Sequence, residues 1–436
     1  MNQKNACVRT KSRSWHFFLK CLLILISSNA IYPLQASEFE KSKEYTSSEL
    51  YGIALENNPE IKSAFHDWQA AMADIAIVRS LPDPQISYSE FIEEVQTRVG
   101  PQRRKFSLTQ KFPWFGTLDL RKDAAAAKAA AIEQKVNQVR LILKQKIEHI
   151  VFDLILIDRK ISINKDHFGL LQDLEKSQKG GLSSGKGHLS TVLRIQVEKE
   201  TIKDQIETLK AMKHPLKKKL EAACGIALPK NTPKAVLTEA SMPALEELRM
   251  HYKKSNPRWL ANKHLVTMSG AQIALAKKKG KPNLGLGLTW IDTGTSSMPS
   301  IEGSGDDPLA LTLSLSIPLW RKKVKAEILR AEENQQSLFA QKESLINAYD
   351  ADIELILFRI QDAERKIMLY RDDLLPKSSD AYHSTKKAHE SGRVSFQNVL
   401  DAERLVLRFS LDLEIALVEK AKGISDLELT IGTNIH

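Results

Sequence analysis

Few residues of this 436-residue chain are spaced for chemistry. Gly180-x-x-x-x-Gly185-Lys186 imitates a phosphate-binding loop. Such a loop needs a strand before it, a helix after it and a Ser or Thr following the Lys. Here a charged helical stretch precedes it and Gly187 follows, so nucleotide binding is not expected. Gly303-Ser304-Gly305-Asp306-Asp307 has the acidity of a calcium loop, but two adjacent acids among glycines read as solvated turn residues. The eleven His and eight Met show no i, i+4 pairing, and His383 and His389 read as surface residues rather than ligands. Cys7 and Cys21 lie in an N-terminal leader, which leaves Cys224 without an intrachain partner. No Ser/His/Asp or paired-carboxylate arrangement stands out. The expectation is no catalytic residue, no metal site, no cofactor and no enzyme activity, so function must follow from the elements themselves.

The clearest of these are alternating segments. Leu309, Leu311, Leu313, Leu315 and Ile317 alternate with Ala310, Thr312, Ser314 and Ser316, and Leu284, Leu286, Leu288 and Trp290 alternate with Gly285, Gly287 and Thr289. Ile86 and Tyr88 against Ser87 and Ser89, then Phe106, Leu108 and Phe112 against Ser107, Thr109 and Lys111, repeat the pattern more weakly. A period of two sends apolar side chains to one face and small polar ones to the other. This fits a half-buried sheet under helices, or strands of about 9–11 residues crossing a membrane with a wet lumen behind them. Three features favour the membrane. The polar face is Gly, Ser and Thr; Phe112, Trp114, Trp290 and Trp320 sit at strand ends, as an interface belt requires; and Gln96–Gln102 and Asp292–Pro308 read as polar external loops. Four strands cannot close a barrel, and an open edge in lipid is prohibitive. Several chains must then share one barrel, and three would supply twelve strands.

Long helices accompany the strands. Thr117 to Phe168 contains no Gly or Pro and includes the alanine-rich run Asp123 to Ala131, of very high helix propensity. Ile346, Ile353, Ile356, Ile360, Ala363, Ile367, Tyr370 and Leu374 keep heptad spacing, as do Val399, Ala402, Val406, Phe409, Leu413 and Ala416. A helix of about 60 residues is roughly 90 Å long. That length suits a conduit across an aqueous gap, or a coiled-coil spacer with no passage inside.

The first 36 residues read as a secretory signal, with Lys4, Arg9, Lys11, Arg13 and Lys20 before the apolar run Cys21 to Ile26 and a cut after Ala36. That run is far short of the roughly 20 residues a membrane span needs. Without the five leader cations the net charge falls from +11 to about +6, a mild excess that does not call for nucleic acid. No later segment is a transmembrane helix by hydropathy, so any membrane crossing must be made as a barrel.

The elements occur twice, about 200 residues apart, too long a period for a solenoid. Asn58-Pro59, Leu81-Pro82, Phe112-Pro113-Trp114, Ser184-Gly185 and Leu220 to Gly225 match Asn256-Pro257, Lys281-Pro282, Ile317-Pro318-Leu319-Trp320, Ser391-Gly392 and Leu427 to Gly432. The expected layout is a signal peptide (1–36), then a first repeat (37–225) with strands near 84–95 and 103–113 and helices near 117–178 and 188–224. A linker (226–242) leads to a second repeat (243–436), with strands near 282–292 and 308–318 and helices near 321–390 and 394–430.

With these landmarks the chain resembles the TolC-like outer-membrane efflux proteins. The resemblance is carried by Leu374-Leu375-Pro376, by Ser391-Gly392-Arg393-Val394-Ser395-Phe396-Gln397-Asn398-Val399-Leu400-Asp401-Ala402-Glu403, and by the degenerate copy from Ser184 to Leu193. Asn57-Asn58-Pro59-Glu60-Ile61 and Phe112-Pro113-Trp114-Phe115-Gly116 are also characteristic. Thr97 to Gln102 together with Phe112-Pro113-Trp114 looks like members of the heavy-metal cation efflux branch.

The resemblance implies a mainly α fold with a small β part: a long α-helical coiled-coil barrel plus four transmembrane strands per chain. Three chains would form one 12-stranded barrel. It implies a passive exit duct in the outer membrane, with a long periplasmic portion that docks to a periplasmic adaptor and an inner-membrane pump. The adaptor would meet the helical tips, here Gly185, Leu189 and Ser190, and Gly392, Val394 and Ser395. The family often seals its entrance with acidic rings, whereas these tips carry Lys179, Lys186, Lys386, Lys387 and Arg393, with Glu390 the nearest acid in sequence. The alternative from the residues alone is an exported coiled-coil structural protein with no channel. A passive porin fits poorly, since porins supply many more strands per chain and no long helices.

Overall fold

The computed structural model describes residues 45–183, 188–228 and 243–435. The expected signal peptide, most of the expected linker and Gly185 lie outside the described residues. The chain runs through one order of elements twice. The first round is α1 (Ser47–Asn57), α2 (Pro59–Arg79), β1 (Gln85–Thr97), β2 (Gly100–Phe112), α3 (Thr117–Ser183) and α4 (Leu189–Cys224). The second is α5 (Leu245–Ser255), α6 (Pro257–Lys278), β3 (Asn283–Thr293), β4 (Leu309–Ser316), α7 (Arg321–Met368), a π-helical stretch (Leu369–Leu374), α8 (Leu375–Glu390) and α9 (Phe396–Ile431).

The Asn-Pro landmarks are helix starts. Asn58 Oδ1 accepts from the N–H groups of Glu60 (2.8 Å) and Ile61 (3.2 Å), and Pro59 takes the first helical position, where no amide hydrogen is needed. Asn256 does the same for Arg258 (2.9 Å) and Trp259 (3.1 Å) ahead of Pro257. The helices that return toward these junctions, α4 and α9, both stop at a left-handed glycine, Gly225 (φ 75°) and Gly432 (φ 82°).

At 67 residues, α3 is about 100 Å long and passes through Gly180 and Gly181 without breaking. The expected single helix over 321–390 is instead interrupted by the π-helical stretch immediately before Pro376. Proline offers no N–H to the helix behind it, and a locally wider winding accommodates that loss.

Equivalent cores form at the two junctions. Leu50 and Ala54 of α1 pack with Leu143, Ile147, Ile150 and Val151 of α3 and with Leu220 and Cys224 of α4. Leu248 and Tyr252 of α5 pack with Ile353, Ile356 and Ile360 of α7 and with Leu427 and Ile431 of α9. A third core ties the distant helical ends together: Ile157, Ile161, Leu171 and Leu174 of α3, Ile195, Ile202 and Ile206 of α4, Tyr382 of α8 and Phe396, Val399 and Leu400 of α9. The α7 seam expected from heptad spacing is the buried one from Ile353 to Ile367.

The strands form one antiparallel sheet in the order β1-β2-β3-β4, so the two repeats meet along β2 and β3. One expected loop is strand instead: Gln96 pairs with Pro101 and Thr97 with Gly100, leaving only Arg98 and Val99 to turn. Gly100 makes this tight turn possible at φ 138°, and Thr97 Oγ1 donates to its carbonyl at 2.6 Å. The β3–β4 connection is long, as expected. It folds across that hairpin through Gly294 N–H to Pro101 O (2.7 Å) and Gly305 N–H to Val99 O (2.8 Å).

Candidate functional site

The register sorts the sheet into two chemically different faces. On one face the cross-strand rows read Tyr88–Phe106–Trp290–Leu309, then Ile86–Leu108–Leu288–Leu311, then Leu286–Leu313 beside Gln110, then Phe112–Leu284–Leu315. The β4 leucines are largely exposed: Leu309 66%, Leu311 79%, Leu313 72% and Leu315 53%. From the first row to the last is six residues, about 20 Å along a strand. The one polar intruder, Gln110, is satisfied locally, its amide donating to Pro82 O (2.7 Å) and Lys111 O (2.9 Å).

Each end of this apolar band is marked. Above the Tyr88–Phe106–Trp290 ladder, with ring centroids 5.0 and 5.5 Å apart, lies a charged row of Glu90, Arg104 and Asp292. Arg104 reaches Asp292 at 3.8 Å, and the Tyr88 hydroxyl donates to Glu90 at 3.2 Å. At the other end stand Phe112, Trp114, Phe115, Leu319 and Trp320, the last 78% exposed at the start of α7. The Trp114 N–H is anchored on Asn283 Oδ1 at 3.2 Å. The four expected interface aromatics therefore bracket the band, Trp290 at one end and Phe112, Trp114 and Trp320 at the other. The acidic pair Asp306-Asp307 is a turn element: Asp307 Oδ1 accepts the Thr293 N–H at 2.8 Å and finishes β3.

At the helical tips, Gly392 (φ 76°) makes the α8–α9 turn, with open space where a side chain would stand. Ser391 Oγ donates to Ala388 O (2.9 Å) and Arg393 N–H to the same carbonyl (2.9 Å). His389 is not the surface residue the sequence suggested. One ring nitrogen contacts Val394 O (3.1 Å), the other Gln178 Nε2 (3.1 Å), and the ring stands edge-on to Phe396 at 5.3 Å. Val394 is half-buried, while Ser395 and Gly392 are exposed. On the other tip Leu189 and Ser190 are exposed, and Leu189, Leu193 and Val197 form an apolar stripe along α4 at helical spacing. Beside that stripe the two tips are linked by Arg194 to Gln397 and by a two-pronged pair, Arg404 to Glu198 at 2.6 Å.

The basic tip has a buried counter-charge one helical turn before Lys179. Glu175 of α3 lies buried between Lys179 (2.7 Å), Lys199 (2.6 Å) and Gln196 (2.9 Å). Hydrogen bonds from Lys179, then Lys199 and Gln196, hold its carboxyl down at about 2. Lys199 stands 24 residues further along the chain, on the opposite helix of the hairpin, so only the fold reveals the cluster.

No protein-family model and no curated protein matches the sequence. Solved structures do match. The chain is similar to CusC (16% identity, TM-score 0.75, 89% of this chain and 92% of that one), the subject of a study of folding and transmembrane channel formation. It is similar to the outer membrane protein VceC of Vibrio cholerae (15%, TM-score 0.73, 89% and 97%) and to the outer membrane channel MtrE of Neisseria gonorrhoeae (17%, TM-score 0.72, 89% and 89%).

The fold is TolC-like.

Within this TolC-like fold, the apolar band and the helical tips occupy opposite ends of the long helices. Sequence reasoning placed the band by alternation. It missed the Glu198–Arg404 pair and the Glu175 cluster: Glu175 and Lys179 are an i, i+4 pair within α3, but Lys199 and Gln196 join them from α4 with no shared local signal.

Proposed function

We propose that three copies of this chain form an outer-membrane channel of a tripartite efflux or secretion system. It is a passive duct: the sheets close one 12-stranded barrel in the outer membrane, and the helices continue it as an α-barrel through the periplasm. The observation that carries this reading is the apolar band. It is exposed on four strands whose outer edges, β1 and β4, are both open. In water such a face is unfavourable by about 25 cal/mol per Å², and open edges in lipid are worse. Closure with neighbouring copies in a membrane resolves both problems together. The alternative, an exported coiled-coil protein without a channel, would need helices over the same face, and the exposure of Leu309, Leu311 and Leu313 weighs against it.

Partner docking belongs at the tips. Leu189, Ser190, Gly392, Val394 and Ser395, with the open space at Gly392 and the apolar stripe from Leu189 to Val197, suit close approach of an adaptor's helical hairpin. The energy for export would come from the inner-membrane pump, since the duct performs no chemistry.

The test is fractionation. The channel reading expects the chain in outer-membrane fractions, extracted by detergent as a stable trimer. Recovery as a soluble monomer or dimer would sink it and favour the structural-protein reading.

A further inference from the structure

We propose that the barrel built from this chain is anion-selective, so that its cargo leaves as an anion. The inference rests on the channel reading above and concerns the face opposite the apolar band, the only face available to line a lumen. In the paired rows that face carries two charges, Lys105 and Lys111, and no acid. Its other members are Gly, Ser, Thr, Ala, Asn, Gln and Ile291. Of the strand acids, Glu90 and Asp292 fall on the opposite face, in the charged row with Arg104, while Glu93 and Glu94 stand in the irregular stretch of β1, where Glu94 pairs with Arg103 at 3.4 Å.

The two lysines stand near the two ends of the wall, about 20 Å apart along β2. Neither has a carboxylate partner among the described residues. Lys111 is set beside the smallest part of the wall: it pairs with Gly285, which faces Ser314, and a Cβ at Gly285 would collide with the Ser314 hydroxyl. Its ammonium is therefore the main protrusion at that level. Beneath it a cavity of about 490 Å³ adds Arg121 and Lys279. Lys279 is offset by Glu327 at 3.1 Å, whereas Arg121 has no acidic partner among the described residues.

Three-fold repetition turns each lysine into a ring. A narrow channel with low-dielectric walls focuses the field of such rings, concentrates counter-ions and repels ions of like sign. With a Debye length of about 8 Å at physiological salt, each ring governs its own level of the lumen. A bare metal cation is the cargo this wall suits least, while carboxylates, phosphates and anionic amphiphiles suit it best.

The experiment is reversal-potential measurement on the purified trimer in a planar bilayer under a KCl gradient. Chloride should be preferred over potassium by roughly threefold or more. The double variant Lys105→Glu/Lys111→Glu should invert the preference. Lys105→Gln/Lys111→Gln, which places no new charge in the wall, should bring it near unity and serves if the glutamates prevent assembly. Cation preference in the unaltered protein, or selectivity unchanged in the glutamine variant, overturns the anion inference and leaves the channel reading standing. Inserted trimers that carry no current overturn the channel reading itself, and the inference with it.

Discussion

The side-chain amide of Asn58 donates to the carbonyl of Ala223 at 2.8 Å, fastening the start of α2 to the end of α4. Asn256 repeats the bond in the second half, to Thr430 O at 2.8 Å, fastening α6 to the end of α9. Each asparagine thus caps one helix with its oxygen and ties down another with its nitrogen, buried in both cases. Replacing Asn58 with Ala removes the cap and leaves a buried carbonyl unpaired, and is expected to cost about 2–3 kcal/mol. Asn58→Ser keeps a cap acceptor but cannot reach Ala223, so it should cost about 1 kcal/mol less. Denaturant unfolding followed by helical circular dichroism measures both, and equal losses would separate the cap from the explanation.

The glycines at the same junctions make a second prediction. A Cβ on Gly225 would lie 2.7 Å from Asn57 O, and one on Gly432 would lie 2.6 Å from Ser255 O, both on a left-handed backbone. Alanine at either position is expected to destabilise by about 2 kcal/mol or more, from strain and displaced backbone together. Gly169 lies within α3 with nothing near its absent side chain, so Gly169→Ala should stabilise by about 0.5–1 kcal/mol. Thermal melts of the three variants should show opposite signs.

Acid should loosen the tips through Glu175. Its folded carboxyl is held at about 2 against an ordinary value of 4.5. The stabilisation is therefore complete above about 4.5 and is lost as pH falls through about 2. Glu175→Gln abolishes that dependence and leaves Lys179 and Lys199 unopposed. The variant should be less stable than the parent at neutral pH, and the gap should narrow on acidification between those two values. Limited proteolysis or hydrogen exchange across the α3–α4 hairpin reads this directly, and a gap that widens in acid contradicts it.

The two faces of the sheet should respond oppositely to charge. Leu288→Arg places a cation in the middle of the apolar band and should cost about 2–4 kcal/mol per chain if that band faces lipid. Thr289→Arg, on the opposite face, should be tolerated. Yield of detergent-stable trimer is the readout, and equal tolerance at both sites would mean the band is not in contact with lipid.

Much of the fold was legible because it is written locally. Alternation placed the four strands, since Leu309 to Leu315 admits no other regular structure with so clean a period, and the alanine-rich start of α3 announced its helix. The segment around Arg98 and Val99 reads as a loop in sequence because polar residues continue into the strands beyond the apolar band, where composition no longer marks pairing. His389 looked like surface because its partners, Gln178 and Phe396, come from other helices. The contacts of Glu175 with Lys199 and Gln196 are invisible for the same reason, whereas its pairing with Lys179 is a local i, i+4 contact. What a single helix or strand decides for itself could be read, and what two helices decide between them could not.

In the trimeric barrel proposed above, the open edges of β1 and β4 would make biogenesis a collective event. A newly made chain would carry its greasy face and its unpaired backbone together until neighbours arrived, so the sheet would mature only as fast as partners were supplied. Such shared construction would also share damage. In a cell making intact and Leu288→Arg chains in equal amounts, random mixing would leave only about one trimer in eight free of the faulty chain. A lesion in one gene copy would then silence most of the product of the other.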